Sequence, residues 1–344
     1  MTRKEISTSI RKQITELGHN ARAASRQLMG SDTEKKNRAL EAMAEALGRN
    51  TSSIREANAH DVQEAREKGL SDAMVDRLIL NDQRIEAMIQ GLRDIAALPD
   101  PVGRVLKSWE KKNGLLLKKV SVPIGVIGMI YESRPNVTAD AAALCLKASN
   151  AIILRGGSEA LRSNQAIAAA LQEGGRAAGL PDQAIQLVPY RDREAVQALI
   201  TMDEHVDVII PRGGEGLIRA VAENATVPVL KHYEGICHVY VDCEADPEKA
   251  WKIVENAKCQ RPGVCNAAET LLVDASLSGE WMLKMAEILQ GRGVELRGDE
   301  RAREVVASMH PATEEDWRTE YLDLILSVRI VDGIEQAVEH IITF

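Results

Sequence analysis

The fold is decided by the stretch AIILRGGS at residues 151–158 and by its counterpart VIIPRGGE at residues 208–215. In each stretch an aliphatic run ends in an arginine and two glycines, and an amphipathic segment follows. A strand, a glycine turn and a helix in that order are typical of βαβ units around a mostly parallel sheet. Ligands of such sheets lie at the carboxyl ends of the strands. Both turns are therefore candidate binding sites.

Similar runs extend this pattern along the chain, and together they predict an α/β fold. Apolar runs predict strands at residues 124–130, 151–154, 184–188, 206–210, 227–230, 239–241, 270–273, 294–296 and 322–331. Amphipathic spacing predicts helices between them, for example at residues 164–177, 193–202 and 246–260. Residues 1–100 have a helical pattern throughout, and Ser31 or Asp32 can cap the second helix.

A charged segment at residues 103–122 interrupts this alternation. Two strand-like arms flank the pair Asn113–Gly114, which favours a tight hairpin turn in which both residues have positive φ. An isolated hairpin is only marginally stable. We therefore expect it to lie against another surface, such as a partner subunit.

Composition and charge exclude several classes of protein. The 344 residues carry a net charge of −8 and only 3% aromatic residues, which argues against a nucleic-acid-binding protein. No apolar run is long enough to span a bilayer, and the first residues lack the apolar core of a secretory signal. The five cysteines lack zinc-site spacing and fit free thiols in a reducing compartment. We expect a cytoplasmic protein with no metal site and no membrane or nucleic-acid partner.

The two glycine turns admit two interpretations. A helix N-terminus presents unpaired N–H groups that can bind a phosphate, and the arginine in each turn would add charge. Alternatively, the glycines only form tight turns with positive φ, because neither turn matches an established nucleotide-binding motif. The residues concerned are Arg155, Gly156, Gly157 and Ser158 in the first turn and Arg212, Gly213 and Gly214 in the second.

Cys265 ends a loop of a different kind, RPGVC at residues 261–265. A glycine-bent loop that leads into the next element can present a side chain to a cleft. A thiol attacks as the thiolate, which nearby positive charge stabilises, and Arg261 is the local candidate for that charge. The alternative is a small core residue, which is how most cysteines are used and how we interpret Cys259.

The chain resembles the gamma-glutamyl phosphate reductase family, within the aldehyde dehydrogenase superfamily, in VPIGVIGMIYESRPNVT at residues 122–138 and QRPGVCNA at residues 260–267. The resemblance extends over nearly the whole chain. It implies a Rossmann-type cofactor-binding domain at residues 1–102 and 123–231 and an oligomerisation hairpin at residues 103–122. It also implies an α/β catalytic domain at residues 232–344, shorter at its C-terminus than is usual in the family.

The resemblance implies roles for individual residues. Cys265 matches the family's nucleophile, and Asn136 matches the asparagine whose amide joins the Cys265 N–H in an oxyanion hole. From its own surroundings, Asn136 could instead cap the following helix. Arg155, with Ser158 where NAD-preferring relatives carry a carboxylate, implies NADP rather than NAD. Glu320 aligns with a glutamate that holds the nicotinamide ribose, and the alternative is a surface glutamate in a loop.

One departure from the wider superfamily bears on the reaction. Members that oxidise aldehydes carry a glutamate that activates water, and our alignment puts Lys231 at that position. A small shift of the alignment would bring Glu234 there instead. The loss of this base suits an acyl-enzyme that is not hydrolysed.

The reaction implied by the resemblance is the NADPH-dependent reduction of L-glutamate 5-phosphate to L-glutamate 5-semialdehyde and phosphate, the second step of proline biosynthesis. The alternatives are an aldehyde dehydrogenase that oxidises another aldehyde and a catalytically silent relative that serves in binding or assembly. Arg134, Lys231 and Arg261 are chemically suited to the charged groups of the substrate. The resemblance also implies a homo-oligomer and is compatible with association with glutamate 5-kinase.

Overall fold

Two parallel sheets, formed by successive parts of the chain, organise this protein. The computed structural model describes residues 8–231 and 235–344. These residues form two compact units, one ending at Lys231 and one beginning at Gly235. Each unit has its own apolar core, and the α/β class expected from the sequence is confirmed. Among the described helices, none is long and apolar enough to cross a membrane.

Helices form much of the first unit. They are α1 (Thr8–Leu28), α2 (Thr33–Arg49), α3 (Thr51–Glu67), α4 (Asp72–Leu78), α5 (Asp82–Ala97), α6 (Asn136–Lys147), α7 (Leu161–Ala177), α8 (Arg193–Ile200) and α9 (Glu215–Asn224). Of the two predicted caps for α2, the structure uses Asp32, whose carboxylate accepts the Lys35 N–H at 2.7 Å.

The predicted hairpin is formed by β1 (Val105–Glu110) and β2 (Leu116–Val120), which pair antiparallel. Its turn differs from the expected one. Gly114 has a φ of +83°, but Asn113 does not share a positive φ, and the Gly114 N–H donates to the Lys111 carbonyl at 2.9 Å. A longer turn with glycine in the left-handed position also fits the twist of a hairpin.

The sheet of the first unit contains β3 (Val126–Tyr131), β4 (Ala151–Arg155), β5 (Ile185–Leu187) and β6 (Val208–Arg212). All four strands are parallel, in the order β5-β4-β3-β6. The chain moves outward from β3 to β5 and then returns to the other side of β3. Ligand sites of open parallel sheets lie where the strand order reverses in this way, so the carboxyl ends of β3 and β6 mark the candidate site.

The second unit has a five-stranded parallel sheet in the order β10-β9-β11-β8-β7. Its strands are β7 (Cys237–Val241), β8 (Ala268–Asp274), β9 (Glu295–Gly298), β10 (His310–Pro311) and β11 (Ile325–Val331), and its helices are α10 (Pro247–Cys259), α11 (Glu280–Gly291), α12 (Glu300–Val305) and α13 (Ile334–Thr343). Every residue of β8 is buried, which makes β8 the centre of this core.

Three predicted strands have different bounds for identifiable reasons. Residues 227–230 form no strand and make only one bridge, from Val229 to Ile209, since Pro228 has no N–H to donate. The strand predicted from residue 124 begins at Val126, after Gly125 with a φ of +128°. The strand predicted from residue 322 begins at Ile325 because Leu322 is left-handed, with a φ of +53°.

Candidate active site

Three strands of the first unit bring their carboxyl ends together. Ile130 of β3 lies opposite Arg155 of β4 on one side and Pro211 of β6 on the other. Tyr131 is paired with Arg212. The two glycine turns singled out in the sequence therefore flank the segment that follows β3, at the predicted edge of the sheet.

Glu132 and Ser133, which follow β3, are hydrogen-bonded to residues of both turns, and each connection uses a carboxylate. Oε2 of Glu132 accepts the Gly214 N–H at 3.0 Å. On the other side, Oε1 of Glu159 accepts hydrogen bonds from the N–H and the hydroxyl of Ser133, at 2.7 and 2.9 Å. Ser133 has a positive φ of 44°, an uncommon conformation for serine that these bonds help to hold.

The bond to Glu132 bears on the expectation for the second turn. The predicted phosphate site needs unpaired N–H groups at the start of α9, and the Gly214 N–H already has the Glu132 carboxylate as its acceptor. A Cβ at Gly213 would approach that carboxylate to 2.5 Å. One N–H of this helix terminus is therefore already paired within the protein. Arg212 stays a candidate for cofactor binding through its side chain.

The first turn does not support the interpretation that its glycines provide positive φ. Gly156 and Gly157 do not have positive φ, so the turn does not need glycine for its backbone conformation. A Cβ at Gly156 would come within 2.1 Å of Nδ2 of Asn164, which shows that close packing requires the glycine. A single 3-10 turn, Ser158–Ala160, separates the turn from α7, and Ser158 is exposed.

Arg155 lies largely buried at the end of β4. Its Nη2 donates to the Arg191 carbonyl at 3.2 Å, and its buried Nε finds no partner within residues 8–231 and 235–344. Burial lowers the pKa of Arg155, and the carboxylates of Glu159 and Glu132 oppose that shift. Two carboxylates thus act on Arg155 from other positions, while residue 158 itself is the expected serine. An unsatisfied guanidinium nitrogen beside an exposed serine still fits a phosphate-bearing cofactor.

Asn136 is the first residue of α6 and does not cap it. The N-cap position is Pro135 and carries no side-chain cap, so the capping alternative is wrong. The Asn136 amide instead donates to Oδ2 of Asp140, one turn further along, at 3.0 Å. Burial raises the pKa of Asp140. One N–H of the amide is thus fixed within the helix.

Cys265 lies in the second unit, in the loop between α10 and β8. The Ala267 N–H donates to the Val264 carbonyl at 3.0 Å, so Cys265 and Asn266 occupy the apex of a turn, and both are exposed. The alternative of a buried core cysteine is wrong for Cys265. Because the loop precedes β8, it lies at the amino end of the strands, whereas the rule for parallel sheets points to the carboxyl end.

A second thiol lies beside this loop. The Cys237 thiol, at the start of β7, donates to the Cys265 carbonyl at 3.4 Å. Burial raises the pKa of Cys237, and the negative charges of Cys265, Glu269 and Glu320 add to the shift. No sequence pattern connects Cys237 with Cys265, since 27 residues lie between them.

The remaining candidate site residues differ in how far they are exposed to solvent. Glu320 is half-buried and acts electrostatically on Cys237, and its contact with a ribose stays a prediction. Arg134 is half-buried, and Lys231 and Arg261 are exposed. Glu234 lies outside the described residues.

Comparison with known proteins gives consistent results. The sequence model of the aldehyde dehydrogenase family matches residues 2–317. A gamma-glutamyl phosphate reductase from Moorella thermoacetica is 55% identical over 329 residues, which cover 96% of this chain and 79% of the relative. One from Syntrophomonas wolfei is 54% identical over 336 residues, which cover 98% of this chain and 80% of the relative.

A solved structure agrees with these sequences. The crystal structure of gamma-glutamyl phosphate reductase from Thermotoga maritima superposes with a TM-score of 0.91 at 46% identity, covering 96% of this chain and 80% of that one. This similarity extends through both units of the chain.

Proposed function

The chain belongs to the aldehyde dehydrogenase family and, within it, to the gamma-glutamyl phosphate reductases, and on that premise we propose that it reduces L-glutamate 5-phosphate to L-glutamate 5-semialdehyde and phosphate. This is a reductive step of proline biosynthesis. The observation that carries the proposal is the exposed Cys265 at the apex of its turn, in a chain 54–55% identical to two relatives of that name.

Cys265 acts as the nucleophile. Its thiolate attacks the acyl carbon of the substrate, a carbon–sulfur bond forms, and the carbon–oxygen bond to phosphate breaks, so that phosphate leaves with the electron pair. A thioester on Cys265 remains. When bound, NADPH supplies the hydride that reduces this thioester. The aldehyde departs as the carbon–sulfur bond breaks and the thiolate re-forms.

Asn136 and the Cys265 N–H stabilise the negative oxygen that develops on the acyl carbon. Neutral donors suit this role because they stabilise an anion without losing a proton themselves. One such donor typically contributes about 2.7–4 kcal/mol to the stability of the transition state. The bond from Asn136 to Asp140 supports the assignment, because it fixes the orientation of the amide.

Lys231 takes the position at which oxidising relatives carry a water-activating glutamate. No carboxylate base stands at this position, so the thioester is protected from hydrolysis and persists until it is reduced. Arg134, Lys231 and Arg261 are the proposed contacts for the charged groups of the substrate.

The cofactor is NADP, held mainly by the first unit. Arg155 and the exposed Ser158 at the end of β4 face the 2′-phosphate and ribose, with Gly156 and Gly157 forming the turn between them. Arg212, Gly213 and Gly214 of the second turn assist, and Gly213 leaves room there for the Glu132 carboxylate. Glu320 holds the nicotinamide ribose. The unsatisfied Nε of Arg155 supports the assignment of a phosphate ligand.

We also propose a cytoplasmic homo-oligomer assembled through the hairpin. Residues of β1 and β2 are exposed almost throughout, and they include apolar side chains. A surface of this kind is typical of an interface. Glutamate 5-kinase is a further proposed partner, since its product would be the substrate of this chain.

The reverse reaction provides the test. Purified protein is supplied with glutamate 5-semialdehyde, NADP and phosphate, and NADPH formation is followed while each component is omitted in turn. We expect all three to be required. Cys265→Ala should reduce turnover by on the order of 10⁴-fold or more, because removal of a nucleophile abolishes the covalent route.

Cys259→Ala is the matched control, because Cys259 is a half-buried thiol of α10, and it should leave turnover near that of the unaltered chain. Oxidation that proceeds equally well without phosphate would identify an aldehyde dehydrogenase of the acid-forming type. An unreactive Cys265 together with no NADPH binding would identify a catalytically silent relative.

A further inference from the structure

A buried ion pair brackets the loop that carries Cys265. Lys258 lies in the last turn of α10 and Glu269 near the start of β8, and Nζ of Lys258 is 2.7 Å from Oε2 of Glu269. Their side chains are 0% and 1% exposed. We call residues 260–267, which lie between the two, the nucleophile loop.

Burial of two opposite charges is not in itself a source of stability. The desolvation of the ions largely offsets their attraction, and apolar side chains of similar volume often stabilise a protein as well or better. Stability alone therefore does not explain an ion pair in this position. The hydrogen bond to the second carboxylate oxygen of Glu269 indicates another role.

Oε1 of Glu269 accepts the Leu322 N–H at 3.2 Å. Leu322 has a φ of +53°, a conformation that a leucine keeps only where surrounding contacts hold it. It belongs to residues 319–324, which we call the Glu320 loop. A Cβ at Gly263 of the nucleophile loop would lie 3.6 Å from the Leu322 carbonyl oxygen. The two loops thus meet at Leu322, where Glu269 holds the backbone.

The same loops also contribute charged groups that act on the Cys237 thiol. The charges of Cys265, Glu269 and Glu320 all act on the Cys237 thiol, which itself donates to the Cys265 carbonyl. The nucleophile loop and the Glu320 loop are therefore close together at the amino edge of this sheet.

We propose that Lys258 and Glu269 form a positioning pair, in which Glu269 fixes the Leu322 backbone and thereby sets the place of Glu320 relative to Cys265. The inference rests on the proposed function, in which Glu320 holds the nicotinamide ribose and Cys265 is the nucleophile. Lys258 offsets the effect of burial, which raises the pKa of Glu269, and so helps to keep both carboxylate oxygens available as acceptors.

Two double variants of the full chain test this inference. Lys258→Met with Glu269→Gln removes the ion pair but keeps an oxygen that can accept the Leu322 N–H. Lys258→Met with Glu269→Leu removes the ion pair and the acceptor. Neither variant leaves a single buried charge, which would destabilise the second unit. Thermal unfolding is measured for both, and the dissociation constant of NADPH is measured by the fluorescence of the bound cofactor.

We expect the Leu variant to bind NADPH at least tenfold more weakly than the Gln variant, with faster amide exchange in the Glu320 loop. A purely structural role would change the unfolding temperature of both variants and leave their NADPH affinities equal, which would overturn the inference. In the unaltered chain, the Leu322 amide should exchange slowly although its side chain is 44% exposed, and rapid exchange would also overturn it.

The two proposals fail in different ways. An unaltered chain that binds NADPH but shows no phosphate-dependent turnover would refute the proposed reaction, while the two affinities would still decide the positioning role. An unaltered chain that binds no NADPH would overturn both.

Discussion

Asn136 has two N–H groups on its amide, and one of them is bound to Asp140. An amide held through one N–H presents the other in a fixed direction, which is the preorganisation that oxyanion stabilisation requires. Asp140 is one helical turn away, so α6 itself supplies the anchor. A side chain at the first position of a helix thereby gains an orientation that a loop residue would lack.

Asn136→Ala should lower kcat by about 10²–10³-fold, as expected for the loss of one oxyanion donor, with a much smaller effect on KM. The measurement is steady-state kinetics of the phosphate-dependent reaction. Asn224→Ala, at the end of α9, is the control and should not change kcat. A fall in kcat of less than tenfold for Asn136→Ala would show that donors other than Asn136 stabilise the oxyanion.

The residues that brace the site could not be found from their sequence neighbours. Glu132, Glu159 and Glu269 look like ordinary charged residues in the sequence. Their hydrogen-bond partners, which are Gly214, Ser133 and Leu322 respectively, lie 26 to 82 positions away. One signal was present for Glu269, because a carboxylate at the start of a run that predicts a buried strand needs a cation or several donors. The roles of Cys265 and Asn136 are proposed through the resemblance.

At the level of elements, hydrophobic periodicity located most helices and strands but not their ends. The ends follow backbone features that periodicity does not record, such as the left-handed Leu322 and the positive φ of Gly125. The turn of the hairpin shows the same limit, since Asn113–Gly114 predicted the hairpin while the choice of turn depended on its closing hydrogen bonds.

Two helical glycines make a matched pair in the first unit. A Cβ at Gly174 of α7 would lie 2.5 Å from the Ala42 carbonyl oxygen and from Cα of Met43 in α2, whereas a Cβ at Gly216 of α9 would meet nothing within 4 Å. Gly174→Ala should lower the free energy of unfolding by about 1–3 kcal/mol or more through overpacking.

Gly216→Ala should raise the free energy of unfolding by up to about 1 kcal/mol, because alanine favours a helix over glycine. Denaturant unfolding of the full chain measures both changes. Equal effects of the two substitutions would show that helix propensity, and not the close approach of α7 to α2, decides the stability at Gly174.

At the scale of the whole molecule, the hairpin carries the proposed assembly. Leu106 and Leu116 are each 57% exposed on β1 and β2. Replacing both with serine should shift the protein to a smaller species in light scattering, because an interface loses stability when buried apolar area is removed. Leu283→Ser on α11, where the leucine is 52% exposed, is the control for a general effect on solubility. An unchanged mass for the hairpin variant would show that the hairpin does not form the interface.

The rule that sites lie at carboxyl ends of parallel strands fits the cofactor site proposed for the first unit but not the nucleophile proposed for the second. It located the turns after β4 and β6, but Cys265, Cys237 and Glu269 lie at the opposite edge of their own sheet. The rule concerns helix termini and the reversal of strand order, and neither feature determines where a turn such as residues 264–267 can present a thiol.

The division of the chain near residue 231 has a consequence for its biosynthesis. All four strands of the first sheet, and the helices that cover them, precede that point. At translation rates of about 5–20 residues per second, the ribosome needs roughly another 10 s to add residues 232–344. The first unit can therefore fold while the thiol-bearing segment is still being made, so a defect in the second unit would leave a nascent chain that is already half folded.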